Sequence, residues 1–241
     1  MGLPEMPHPE LTPNQGAALV ALAAHVVAAR LLDQPFQPAE PAESALRTVG
    51  SSFVTLERAG ALRGCVGALE PTRPLYLDVA RNALRAMADP RLPAVAADEW
   101  CALDVSVSVL SESQPIPASG IEELASALRP GVDGVILTDG RRRATFLPAV
   151  WQRMPSARQF VAALLLKGGW SRADGPELMA WRYVATEVHS PAPRPPLAEV
   201  SPPAAWVGAG SGKSSPAPDS ATSSAPDPSA QPGAGAADPG A

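Results

Sequence analysis

The sequence predicts an α+β fold with a largely antiparallel sheet and flanking helices. Two observations lead to this class: two pairs of short apolar runs are separated by turn signals, and the helical patterns do not alternate strictly with the strands. Hairpins join antiparallel strands directly, whereas parallel strands need a long crossover. A chain of 241 residues accommodates one domain and an appendage, or one large domain.

The chain begins with a predicted helix and a hairpin. Residues 12–15 (Thr-Pro-Asn-Gln) have the pattern of a capping box with proline at the first helical position, and the helix should run to about Leu32. A proline-rich connector over 34–41 follows. The short runs 53–56 and 62–67 flank a segment that contains a glycine, which indicates a β-hairpin.

The middle of the chain has one helix and one strand. Between Pro74 and Ala88 apolar residues recur every four positions, which predicts an amphipathic helix closed by Asp89-Pro90. Apolar residues then alternate with polar ones over 103–109, as in a strand with one buried face.

The remaining elements complete the domain. A capping pattern at Ser119 predicts a short helix, and the turn Asp139-Gly140 joins the strands of a second hairpin over 134–147. A helix should follow from residue 156 to the glycines at 168–169, and a last strand should cover about 178–188.

The end of the chain is predicted to lack a fold. Of the 52 residues in 190–241, 40 are Pro, Ala, Ser or Gly. Such a segment buries too little apolar surface to offset the entropy lost on ordering. We therefore predict a domain over residues 1–189 and a disordered tail over residues 190–241.

Charge and composition exclude several functions. The formal net charge is −5, which disfavours nucleic-acid binding through phosphate neutralisation. The most apolar stretch, residues 16–29, is shorter than the about 20 residues of a membrane span, and no basic residue precedes it as in a signal peptide. Only Cys65 and Cys101 are cysteines, which favours a reduced, cytoplasmic protein. The common dinucleotide, P-loop, zinc and dithiol motifs are absent, so no cofactor or metal is expected.

The main candidates for chemistry are Arg63 and Cys65. Side chains alternate along a strand, so these two are expected on one face, about 7 Å apart. A guanidinium there would favour the thiolate, while Gly64 and Gly67 would let a ligand or another backbone approach closely. The alternative is that Cys65 is a buried packing residue.

Four further residues are candidates for substrate binding. Asp89 and Arg91 lie in a loop with two prolines, Arg143 ends a run of three arginines, and Lys167 ends a helix. Arginines can clamp a carboxylate or phosphate through paired hydrogen bonds. Each residue also has a structural explanation. Asp89 and Arg91 would belong to a plain connector, Arg143 to a solvated hairpin tip, and Lys167 would be a cation at the negative end of a helix dipole.

Residues 62–67 (Leu-Arg-Gly-Cys-Val-Gly) resemble the Leu-Arg-Gly-Cys-Ile-Gly signature of the AMMECR domain family. Further blocks agree in order, at 89–93, 105–110, 130–135, 144–151 and 166–169. The resemblance covers about residues 11–188. The departures are Val66, Leu92 and Gly168, which replace an isoleucine, a phenylalanine and an alanine of the family pattern.

The resemblance implies two unequal lobes around a cleft, with the signature motif at that cleft. It also implies that Arg63 and Cys65 are functional, and that bacterial members have a Memo-type protein and a radical SAM protein as partners. Two hypotheses follow. In the first, Arg63 orients a small anionic or carbonyl substrate and Cys65 acts as a thiolate. In the second, the domain is a non-catalytic module that docks a peptide or partner segment, Cys65 is a packing residue, and Arg63 makes a structural ion pair.

Overall fold

The computed structural model describes residues 11–171 and 178–207. Its α-helices are α1 (Pro13–Leu31), α2 (Ser44–Arg47), α3 (Leu75–Ala86), α4 (Ile121–Ala127) and α5 (Ala157–Gly168). Its strands are β1 (Val49–Arg58), β2 (Ala61–Gly67), β3 (Arg73–Pro74), β4 (Leu103–Leu110), β5 (Gln114–Ile116), β6 (Gly134–Thr138), β7 (Arg143–Phe146), β8 (Met179–Tyr183) and β9 (Ala185–Ser190). The predicted α+β class is confirmed.

The strands form two antiparallel sheets instead of one. The first has the order β2-β1-β4-β9, with β3 also paired to β1, and the second has the order β5-β8-β6-β7. The single last strand expected over 178–188 is divided, because β8 belongs to the second sheet and β9 to the first. Val184 lies between them and exchanges hydrogen bonds with Ser111.

Each sheet packs against its own pair of helices. In the larger lobe, α1 and α3 cover one face of the first sheet, and residues such as Leu19, Val54 and Val107 are fully buried there. In the smaller lobe, α4 and α5 accompany the second sheet, where Phe160 stacks on Trp151. The expected helix start at α1 is confirmed, since Thr12 and Gln15 form both hydrogen bonds of a capping box.

Residues 191–207 differ from the predicted tail. Trp206 is 1% exposed, stacks on Tyr76 and donates its indole hydrogen bond to the Ala18 carbonyl. Arg194 lies over the ring of Trp100 and donates to the Leu103 carbonyl. This segment therefore belongs to the larger lobe, and the predicted boundary at residue 190 was wrong for it. The remainder of the predicted tail, 208–241, lies outside the described residues.

Across residues 11–171 and 178–207, none of the helices has the length and apolar character needed to cross a bilayer.

Candidate ligand-binding cleft around Cys65

A bulge in the first hairpin determines where Cys65 points. Leu56 pairs with Gly64 and Glu57 with Leu62, so Arg63 is an extra residue on β2. An inserted residue disrupts the alternation of side chains along a strand. As a result Leu62 and Cys65, three residues apart, both line one cavity, and Arg63 does not line it.

The thiol of Cys65 faces the cleft beside a hydroxyl. Cys65 is half-buried and lies directly opposite Thr55 on β1, whose hydroxyl donates to the sulfur at 3.3 Å. Burial raises the pKa of the Cys65 thiol above its ordinary value. The Thr55 hydrogen bond and the charges of Arg91 and Lys167 offset that rise only in part. The resting side chain is therefore the neutral thiol at pH 7.

The loop after α3 brings a guanidinium to the cleft. Asp89 is 2% exposed and accepts hydrogen bonds from the Cys65 and Arg91 backbone amides and from the Arg91 side chain, at 2.6–3.1 Å. Arg91 also donates to the Cys65 carbonyl at 3.1 Å. The Arg91 guanidinium lowers the pKa of Asp89 strongly. Asp89 therefore positions both the cysteine backbone and the arginine.

A second cation comes from the smaller lobe. Lys167, in the last turn of α5, donates to the Thr145 carbonyl at 2.9 Å and lies over the ring of Phe146. Burial and the nearby charge of Arg91 lower the pKa of Lys167. Residues far apart in the sequence, Cys65, Arg91 and Lys167, thus line one cavity.

The cavity has a volume of about 350 Å³ and is lined by both sheets. The side of β1 and β4 opposite the larger lobe's helices contributes Thr55, Ser106 and Ser108. The apolar and polar side chains of β4 face opposite sides as predicted, but the expectation of a single buried face was wrong, because Ser106 and Ser108 are also buried. Apolar surface comes from Phe53 and Phe146. The cleft thus combines apolar walls with a few polar groups, as small-molecule sites commonly do.

Arg63 is engaged elsewhere. Its guanidinium makes two hydrogen bonds to Glu99, one of them at 2.8 Å, and a third to the Pro93 carbonyl. The Glu99 side chain is 9% exposed, and the Arg63 hydrogen bonds lower its pKa to about 2. The expectation that Arg63 and Cys65 share a face was wrong because of the bulge, and the cations near the thiol are Arg91 and Lys167.

The remaining candidates lie outside the cleft. A β-carbon on Gly64 would overlap the Ala86 carbonyl at the end of α3, and one on Gly67 would overlap the Phe53 ring. Both glycines thus permit close packing. Arg143 pairs with Glu70 and lines a different hollow.

Sequence reasoning missed the polar partner of the thiol. Thr55 is directly opposite Cys65 in the hairpin, so correct pairing of the two strands would have identified it. The bulge that sets this pairing has no plain signal in the sequence, because Arg63 is neither glycine nor proline.

Comparisons with known proteins give one family. The family model described as AMMECR1 matches residues 20–188. A protein of Methanothermobacter thermautotrophicus is 36% identical over 141 residues, which cover 57% of this chain and 73% of the relative. A protein of Thermofilum pendens is 31% identical over 196 residues, which cover 74% and 87%. The crystal structure of an uncharacterized protein from Pyrococcus horikoshii matches with a TM-score of 0.72 at 28% identity, covering 77% of this chain and 96% of that one.

Proposed function

Because this chain belongs to the AMMECR1 family, we propose that it acts through the cleft at Cys65, where a small anionic or carbonyl substrate binds beside the thiol. The observation that carries this proposal is that two cations, Arg91 and Lys167, line the same cavity as the half-buried cysteine. Arg63 orients nothing in this scheme. Its role is the ion pair with Glu99.

The cations suit a carboxylate on the substrate. The Nε and Nη2 of Arg91 already donate to Asp89 and the Cys65 carbonyl, so Nη1 is its donor for a substrate. Lys167 offers a compact charge whose solvation is already reduced by burial. Electrostatic attraction is stronger in a partly desolvated cavity than in water. Glu57, Glu187 and Arg153 also line the cavity, and Asp89 pairs with Arg91. A bound anion would therefore be held by direct contacts with Arg91 and Lys167 and not by a net positive charge of the cleft.

Cys65 supplies the nucleophile. Attack of the sulfur on a substrate carbonyl carbon forms a carbon–sulfur bond and breaks the carbonyl π bond. The thiol proton ends on the former carbonyl oxygen, so the addition needs no oxidant or reductant. The neutral resting thiol requires that its proton leave as the bond forms, and the cationic surroundings favour the thiolate character that develops.

The partners are proposed on family membership. The motif at residues 62–67 resembles that of bacterial AmmeMemoRadiSam system protein A, and we propose that the chain acts as such a protein, with a Memo-type protein and a radical SAM protein in the cytoplasm. Two free cysteines suit that reducing compartment. Co-elution of the purified proteins on gel filtration tests the partnership, and separate elution at all concentrations would count against it.

A second candidate is a non-catalytic docking module. Phe53, Leu62, Phe146 and Val150 give the cleft an apolar lining, and burial keeps the thiol neutral. A cleft of this kind could hold a side chain of a partner segment, with Cys65 as a packing residue.

Protection of Cys65 from alkylation separates the two functions. The assay uses iodoacetamide on the Cys101→Ser protein, with and without glyoxylate, which carries both a carboxylate and a carbonyl. The first proposal predicts saturable protection that is lost in Lys167→Gln and retained in Arg63→Gln. No protection by glyoxylate, together with protection by the Memo-type protein, would favour the docking module.

A further inference from the structure

A second hollow, next to the cleft, is lined by four arginines. It has a volume of about 500 Å³, and its guanidinium groups belong to Arg73, Arg81, Arg85 and Arg143. The chain as a whole carries a net charge of −5, with 19 basic residues. Four of these around one hollow is therefore a local concentration of positive charge on an acidic protein.

Two of the arginines are held in place by carboxylates. Arg73 donates to Asp78 at 3.0 Å, and the Asp78 side chain is 1% exposed and also accepts from Ser52 and Asn82. Arg143 pairs with Glu70 at the rim. The Arg73 guanidinium, paired with a buried carboxylate, is fixed before any ligand arrives, which reduces the entropy cost of binding. The Arg143–Glu70 pair is exposed to solvent and holds its guanidinium less firmly.

The other two arginines have no carboxylate partner among the described residues. Arg81 and Arg85 are exposed and lie four residues apart on α3, so they are neighbours on one face of the helix. Like charges at this spacing destabilise a helix, and a bound anion would relieve their repulsion. With Glu70 and Asp78 counted, the four arginines leave a net charge of +2 at the hollow.

We propose that this hollow binds the phosphate groups of a small phosphorylated ligand, with Arg81 and Arg85 as its principal contacts. Guanidinium groups match phosphate oxygens through paired, charge-assisted hydrogen bonds. A diphosphate carries enough negative charge to engage several arginines at once. The net charge of −5 on the chain disfavours an extended polyanion, so a compact ligand fits the hollow better.

The hollow is separate from the cysteine cleft but adjoins it. The two cavities have Phe53 and Thr145 in common, while all four arginines named here line only the hollow. The proposal therefore does not depend on the chemistry of Cys65, and it can hold or fail independently.

Titration calorimetry with inorganic pyrophosphate tests the proposal. We expect saturable binding with a stoichiometry of one, and a loss of affinity of at least about tenfold, or about 1.4 kcal/mol, in the double variant Arg81→Gln, Arg85→Gln. The matched control is Arg30→Gln, Arg158→Gln, which removes two exposed arginines from α1 and α5. Circular dichroism of each variant verifies its fold.

Three results would overturn the proposal. One is no saturable heat with pyrophosphate up to about 5 mM, a range that would detect even weak binding. The second is an equal loss of affinity in the control pair, which would indicate general electrostatic attraction. The third is binding of a short single-stranded oligonucleotide without binding of pyrophosphate, which would indicate a nucleic-acid surface.

Discussion

Replacing Asp89 by asparagine tests how the loop after α3 supports the cleft. The carboxylate accepts four hydrogen bonds, with the Cys65 amide and the Arg91 Nη2 on Oδ2, and the Arg91 amide and Nε on Oδ1. In asparagine one of the two oxygens becomes an amino group. Whichever oxygen is lost, one backbone amide and one guanidinium donor then face another donor.

The expected cost follows from these contacts. A backbone hydrogen bond to a buried charged group contributes about 1.5–3 kcal/mol. The Arg91 side chain is 59% exposed, so its lost bond adds only about 0–1 kcal/mol. We expect Asp89→Asn to lower the free energy of unfolding by about 1.5–4 kcal/mol at pH 7.

Urea unfolding followed by tryptophan fluorescence measures this difference. The exposed Asp98→Asn is the matched control and should change stability by less than about 0.5 kcal/mol. The folded-state pKa of Asp89 is depressed, so its contribution is present above the unfolded pKa of about 3.9 and is lost as pH falls below it. The difference between wild type and variant should therefore shrink in acid. A loss no larger than that of the control at pH 7 would refute the reasoning.

Three further substitutions test the fold around the cleft. Arg63→Ala should lower the free energy of unfolding in urea by about 2–4 kcal/mol, because the nearly buried Glu99 loses its main partner. The same substitution should leave the alkylation rate of Cys65 within about twofold of wild type. Gly64→Ala should lower the free energy of unfolding by about 2 kcal/mol or more, because the added β-carbon clashes with the α3 backbone. Its control is Gly120→Ala, where the space is open and the change should be no more than about 1 kcal/mol. Trp206→Ala should cost about 3–5 kcal/mol, and a stability equal to wild type would show that residues 191–207 do not belong to the core.

Local signals in the sequence were sufficient for most elements. The capping box at Thr12 begins α1 as expected, and the turn at Asp139-Gly140 joins β6 to β7. These patterns depend on contacts between residues close in the chain. The division of the last strand could not be found this way, because the residue between β8 and β9, Val184, is itself typical of a strand.

The errors in the site and in the tail have different causes. Alternation along β2 assumed a regular ladder, and the bulge at Arg63 broke it. For residues 191–207 the average composition concealed three apolar side chains, Leu197, Val200 and Trp206, which all pack on the larger lobe. Whether a segment packs into a core depends on the positions of a few large apolar side chains. The average composition of the segment does not show those positions.

The most direct test of the cleft is the ratio of alkylation rates with iodoacetate and iodoacetamide, since one reagent is an anion and the other is neutral. Exposed Cys101 in the same protein is the internal reference. Positive potential from Arg91 and Lys167 should make the ratio at Cys65 at least about threefold higher than at Cys101. It should fall toward the reference in Lys167→Gln and stay unchanged in Arg63→Gln. Equal ratios at the two cysteines, or a fall in Arg63→Gln alone, would contradict an anion-binding cleft built on Arg91 and Lys167.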